Sequence, residues 1–231
     1  MFYYIENLVS IKFLDEFKGK KITSTSYLFE GCFNLTSLDI SNLNTEYVED
    51  MSYMFANCRK LTSIDLTNFN TKNVKNMNRM FANCQALKSI NLSKFDTSSV
   101  TRIDGMFSSS KSLTSIDISH FDLSKITTFG EVFYDCESLV SIKLPKFKNV
   151  TDMETYYMFD GCKSLRSIDL SNFNINLNGD SCRMFGRCES LTSIDLSDIT
   201  SKDNFNLQVM FLGCKLLKSI DISHFDFSKT R

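Results

Sequence analysis

Hydrophobic positions recur along this chain on a fixed interval. Phe29, Phe55, Phe81, Phe107, Phe133, Phe159, Phe185 and Phe211 follow one another every 26 residues. Phe2 opens a further unit one residue longer, in which Leu8, Ser10, Ile11 and Phe13 match Leu35, Ser37, Leu38 and Ile40. The repeat runs from end to end with no linker, so residues 1–231 read as a single domain.

One unit shows what the pattern predicts. Leu61-x-x-Ile64-x-Leu66 ends in strict alternation, which predicts a short strand with Ile64 and Leu66 inward and Ser63 and Asp65 outward. Val74, Met77, Met80, Phe81 and Cys84 are spaced 3, 3, 1 and 3, which predicts one apolar helical face. Thr71 stands where an N-cap belongs. Asn83, with Gly31, Gly161 and Gly213 at the same site of other units, stands where a left-handed residue would close the helix. A lone unit has two apolar faces and nothing to bury them against. Stacked copies would place parallel strands on one face and short helices on the other, in a right-handed coil. About nine units at roughly 4.8 Å per strand give a curved rod about 40 Å long. The expected class is therefore an α/β repeat solenoid.

The frame Met-Phe-x-x-Cys-x-x-Leu-x-Ser-Ile-Asp-Leu-Ser-x-Phe-x-Thr-x-x-Val-x-x-Met resembles the BspA-like leucine-rich repeats of bacterial and protist surface proteins. The resemblance covers the whole chain. It implies a right-handed leucine-rich-repeat horseshoe, a place at the cell surface or in the secreted fraction, and a role in adhesion or host-protein contact. The sequence carries no signal peptide or anchor, which leaves a cytoplasmic location open.

Composition narrows the partners. The net charge of -1 argues against nucleic acid and polybasic membrane surfaces. No apolar run approaches 18 residues, so no membrane insertion is expected. The repeat also explains the 21 Phe and eight Cys.

Stacking turns each repeat position into a file. Cys32, Cys58, Cys84, Cys136, Cys162, Cys188 and Cys214 form one, with Ser110 in the remaining unit. A single file does not converge on a metal or aim sulfurs at one another, so buried thiols packing as small hydrophobes are expected. Cys182 shares its position with Ser52, Asn78, Asp104, Gly130, Tyr156 and Gln208, which predicts a solvent-facing site and the most accessible thiol. Phe69, Phe95, Phe121, Phe147, Phe173 and Phe225 read as core, as do Met54, Met80, Met106, Met158, Met184 and Met210.

The outward strand face carries Ser in each of the units from Ser37 to Ser219. Two residues later come Asp39, Asp65, Asn91, Asp117, Lys143, Asp169, Asp195 and Asp221. Such a file is either crowded structural polarity, with Asp bonding nearby turns, or an exposed acidic face that a basic partner relieves. Asn91 and Lys143 interrupt it.

Nothing converges as a catalytic site does. His120 and His224 lie 104 residues apart at one repeat position, about 19 Å along the stack. Their Ser and Asp neighbours recur with the repeat, and no Gly-rich phosphate loop exists. Sequons at Asn34, Asn91 and Asn149 carry little weight in an Asn- and Thr-rich chain. No cofactor and no metal is expected. The stretch 143–182 departs most from the frame, with Asn174 to Asp180 read as turn-rich. The candidate contact residues are Asp39, Asp65, Asp117, Asp169 and Asp195 on the strand face and Lys143, Lys146, Tyr156 and Tyr157 in the irregular stretch. The function expected is a non-enzymatic interaction module taking a protein or glycan ligand on the concave face. The alternative is a structural scaffold within a longer solenoid. Neither end resembles a dedicated cap, which suits a piece of a longer protein or end-to-end self-association.

Overall fold

The computed structural model describes residues 2–12, 19–151, 153–171, 173–177, 182–201, 209–223 and 225. Short parallel strands pair one coil with the next. β1 (Ser10–Lys12) pairs with β2 (Ser37–Asp39), 27 residues on, and β3 (Ser115–Asp117) pairs with β4 (Ser141–Lys143), 26 residues on. The repeat of the sequence is thus the register of the fold. Ile116 is buried between exposed Ser115 and Asp117, as alternation requires.

One continuous sheet does not form. Across 61–66, 87–92, 165–170 and 191–196 the chain is extended without a ladder. An Asx turn closes the segment whether or not a ladder forms: the Thr67 N–H donates to Asp65 at 2.9 Å, as the Ser41 N–H donates to Asp39 at the end of β2 at 3.1 Å. Single bonds such as Thr114 N–H to Lys88 O and Thr192 N–H to Arg166 O, both 3.1 Å, still tie these coils together.

The expected helices are absent among the described residues. Where they were predicted, two kinds of backbone hydrogen bond alternate. The N–H groups of Met51, Tyr53, Phe55 and Asn57 donate to Asn76, Asn78, Met80 and Ala82 of the next coil at 2.8–2.9 Å. Those of Met54, Ala56 and Cys58 close tight turns on Met51, Tyr53 and Phe55 at 3.1–3.3 Å. A helix keeps every bond within itself. This segment exports every second one. Two left-handed residues per coil, four apart, turn the alternate N–H groups outward: Tyr53 and Asn57, Arg79 and Asn83, Glu131 and Asp135. Asn83, Gly31, Gly161 and Gly213 are left-handed as the pattern indicated. The position four residues earlier is equally left-handed, and even Val209 adopts it. Thr71 has no helix to cap. It is buried, and its hydroxyl accepts from the Asp96 N–H at 2.8 Å and donates to the Asp96 carbonyl at 3.0 Å.

The stretch around 173 is also strand, not turn. β5 (Phe147–Thr151), β6 (Phe173–Leu177) and β7 (Thr200–Ser201) form a third, three-stranded parallel sheet where other coils use Thr-x-x-Val. Phe173, Ile175 and Leu177 alternate with Asn, which is a strand period. Residues 178–181 lie outside the described residues.

The core is a column of rings. From Phe2 through Phe211 successive phenylalanines stack at 5.4–5.8 Å and 3–12°. Buried rings of this kind each contribute roughly 1.5–3 kcal/mol. The methionine file lies buried beside it, as do Phe69, Phe95, Phe121, Phe147 and Phe225. No described helix is long and apolar enough to cross a membrane.

The cysteine file is more than apolar filling. Each thiol donates to a phenylalanine carbonyl of the preceding coil: Cys58 to Phe29 at 3.3 Å, Cys84 to Phe55 at 3.2 Å, Cys136 to Phe107 at 3.1 Å. Ser110, the exception in the file, makes the same bond to Phe81 at 2.8 Å. Burial pushes Cys84 and Cys136 up to about 12, so they remain thiols able to donate. We expect Cys84→Ala to lower the unfolding free energy by about 1–2 kcal/mol, and Cys84→Ser to recover part of it. Urea unfolding checks this; a Ser variant less stable than the Ala variant would refute the donor role.

Candidate functional site

The strand face is built from the turn that ends each strand. Oδ1 of Asp39 accepts from the Ser41 N–H and hydroxyl at 3.1 and 2.7 Å. Asp65 does the same with Thr67 at 2.9 and 2.7 Å, and Asp117 with Ser119 at 3.1 and 2.7 Å. Asp169 accepts from Ser171 N–H and Asp195 from Ser197 N–H, both at 2.9 Å. These are Asx turns, in which the side chain fixes its own backbone two residues on. Each aspartate bonds within its own turn, and Asp117 also reaches across coils to Lys143. The donors hold the carboxyls down: Ser41 for Asp39, Thr67 for Asp65, Ser171 for Asp169. Asp117 lies lowest, at about 2, through the Ser119 hydroxyl and then Lys143. All five candidate aspartates are exposed to solvent.

Lys143 takes the place of an aspartate and pairs with Asp117 at 2.9 Å across β3 and β4. Lys146 is exposed three residues on. Tyr156 and Tyr157 belong to the turn segment instead. The Tyr156 ring lies over Gly130, where an added Cβ would meet it at 2.5 Å, and bonds the Thr128 side chain. Tyr157 meets Tyr134 edge-on at 6.2 Å and bonds Cys182. Both tyrosines are half-buried. The two lysines and the two tyrosines therefore sit on different segments of the coil, each with its own neighbours.

Cys182 and Cys214 are the partly exposed thiols, the others being buried. The position Cys182 occupies is not the solvent-facing one expected. Ser52 and Asn78 are each 5% exposed there. Polarity at this site serves the next coil: the Asn78 amide donates to the Asp104 carbonyl at 3.1 Å and to its carboxylate. His120 bonds the Leu92 carbonyl at 3.0 Å through Nε2 and is thereby committed to the coil. His224 lies outside the described residues. Among the described residues no three His, Cys, Asp or Glu side chains form a group able to hold a metal.

The turn face holds charges that the pattern did not single out. Asp160 is 1% exposed and clasped by Arg187 at 2.8 Å and Arg183 at 3.7 Å. Lys111 reaches Asp135 at 3.3 Å and Glu137 at 2.7 Å, and Lys163 reaches Glu137 at 3.0 Å. Arg79 pairs with Glu131 two coils away. A polar depression of about 320 Å³ is edged by Tyr53, Asn57, Arg79, Asn83, Ser109 and Lys111. In contrast to the strand face, this surface changes residue type from coil to coil, which is why repetition did not reveal it.

Two family models match the chain. One, described as Mycoplasma protein of unknown function, DUF285, matches residues 1–91 and 64–165. The other, described as BspA type leucine rich repeat region, matches residues 127–229. A comparison with curated proteins finds no match. Among solved structures, a leucine-rich repeat protein from Bacteroides ovatus is 22% identical with a TM-score of 0.48, over 91% of this chain and 58% of that one. A leucine rich cell surface protein from Faecalibacterium prausnitzii is 18% identical with a TM-score of 0.45, over 96% and 63%. The chain thus spans about 60% of the length of these structures.

The depressed carboxyls make stability pH-dependent in one direction. Asp117, near 2 when folded against about 3.9 unfolded, stabilises fully above pH ~4 and loses that contribution as pH falls through ~2. We expect Asp117→Asn to be less stable than the parent across the neutral range, where the ionised carboxylate contributes, and to show a flatter acid limb in urea unfolding, so that the two converge as pH falls towards ~2. An acid limb identical to the parent's would rule this out.

Proposed function

The chain belongs to the family of Mycoplasma proteins of unknown function, DUF285, with BspA-type leucine-rich repeats over residues 127–229, and on that premise we propose that it is a non-enzymatic interaction module. In this reading residues 1–231 form one right-handed horseshoe of about nine coils in a surface or secreted protein. Its ligand is a protein or glycan carried on the concave strand face.

The observation that carries the reading is the strand face itself. It presents ionised, exposed carboxylates at Asp39, Asp65, Asp117, Asp169 and Asp195, each held in one geometry by its own turn. Pre-ordered groups bind with less loss of entropy than mobile ones. Lys143 and Lys146 give this face a basic interruption, and Tyr156 and Tyr157 offer a second contact patch on the turn segment. A scaffold role is the other reading, supported by the unbroken ring column, which supplies stiffness whatever the surface does. Association of copies end to end belongs with it, supported by exposed Leu212, Leu216 and Ile222 in one terminal coil and Ile5 and Val9 in the other.

Binding measured against glycan and host-protein arrays is expected to weaken at least about tenfold in Asp65→Lys, since like-for-unlike charge at a contact costs several kcal/mol. Tyr156→Ala tests the turn patch in the same assay. A partner indifferent to both changes, or no partner together with concentration-dependent growth in light scattering, favours the scaffold.

A further inference from the structure

Asp160 and Glu30 hold the same repeat position, five coils apart. Around Asp160 the fold provides two guanidinium groups, Arg183 and Arg187. The corresponding residues around Glu30 are Tyr53 and Asn57. Glu30 is 7% exposed. The Asn57 side chain donates to it, but its Oε2 is buried with no hydrogen-bond partner. Among the described residues no ion pair reaches it, since Arg59 lies over the Phe33 ring at 4.5 Å and Arg79 pairs with Glu131. An orphaned carboxylate oxygen in such a place calls for a reason, because leaving it unmatched costs about 1–3 kcal/mol or more.

The surroundings supply one. Tyr3 is 56% exposed and Tyr27 43% exposed, and the Tyr27 carbonyl accepts from the Glu30 N–H at 3.2 Å. Tyr3 meets Tyr27 edge-on at 6.1 Å, and Tyr27 stacks on Tyr53 at 4.9 Å. Burial first, then the Glu30 charge, raises the Tyr3 hydroxyl, and Glu30 acts on Tyr27 as well, so the carboxylate lies within electrostatic reach of both. Aromatic rings around a carboxylate are the surroundings that favour an organic cation.

We propose that Glu30, with Tyr3 and Tyr27 exposed on the same face, is a socket for one cationic side chain, a lysine ammonium or an arginine guanidinium, presented by a partner protein. The incoming charge would answer Glu30 as Arg187 answers Asp160, alongside the shorter Asn57 that stands at the Arg187 position here. This socket lies on the turn face and is independent of the strand-face reading, so either can fail alone.

The test uses the full chain and three small probes: n-butylguanidinium, n-butylammonium and neutral n-butanol. Nuclear magnetic resonance should show saturable shifts of the Tyr3 and Tyr27 ring signals with one or both cations and none with n-butanol; which cation binds tighter separates arginine from lysine as the source. Glu30→Gln keeps the shape and removes the charge, and should weaken binding by at least about tenfold. Should that variant fail to fold, Tyr27→Asn removes a ring while tolerating the left-handed backbone at this position, and should weaken binding too. Asp65→Asn, on the strand face, should bind as the parent does. The proposal is overturned by the absence of saturable shifts, by equal response to n-butanol, by parental binding in Glu30→Gln or Tyr27→Asn, or by loss in Asp65→Asn.

Discussion

Everything in this chain depends on one exchange of hydrogen bonds. Every second N–H of the turn segment is given to the following coil, as Tyr53 gives to Asn78 and Phe55 to Met80. An unpaired buried amide is costly, so each coil completes its neighbour and none is complete alone. The exchange also fixes the period. A donor must find its carbonyl 25 residues on, so a coil cannot change length there without shifting all the bonds beyond it. The phenylalanine column, the thiol file and the threonine file at Thr45, Thr71 and Thr97 repeat at the same interval because they ride on that backbone.

The same exchange explains where the sequence was legible and where it was not. Period, strand register and core files follow from which residues must be apolar, and those show directly in the spacing. The turn segment was misread as helix because consecutive tight turns place apolar residues at intervals of three, as one helix face does. What separates the two is a second left-handed residue per coil. Glycine signals it in one coil alone among those described, at Gly105, while Tyr53, Arg79, Glu131, Tyr157 and Arg183 stand at the same position elsewhere. The strain of about 1 kcal/mol or more at each such residue is offset by the coil-to-coil bonds that its conformation makes possible. Nor did composition reveal that thiols donate to carbonyls; Ser110 in the cysteine file was the one clue, since only a donor role makes Ser and Cys equivalent there.

The candidate surfaces differ in the same way. The strand face is uniform because each aspartate does a structural task first, ending its own strand in an Asx turn. Repetition made it conspicuous, yet that repetition has a sufficient structural cause. The turn face was invisible to a search for repeats because it varies, with Tyr27, Arg79 and Glu131 at one position and Glu30, Ala56, Ser108 and Asp160 at another.

That contrast bears on where selectivity can reside. A surface with one residue type per position offers the same contact at every coil and cannot tell one register of a ligand from another. A surface that changes from coil to coil can. Most of its charges are already answered from within: Asp160 by Arg187, Glu131 by Arg79, Glu137 by Lys111 and Lys163. A charge so answered has little left to offer a ligand, because breaking a satisfied pair leaves its partner exposed to the same desolvation that the pair relieved. Discrimination therefore falls to positions where the repeat geometry calls for a counter-charge and the chain does not provide it. Glu30 is such a position, with exposed Tyr3 and Tyr27 on the same face.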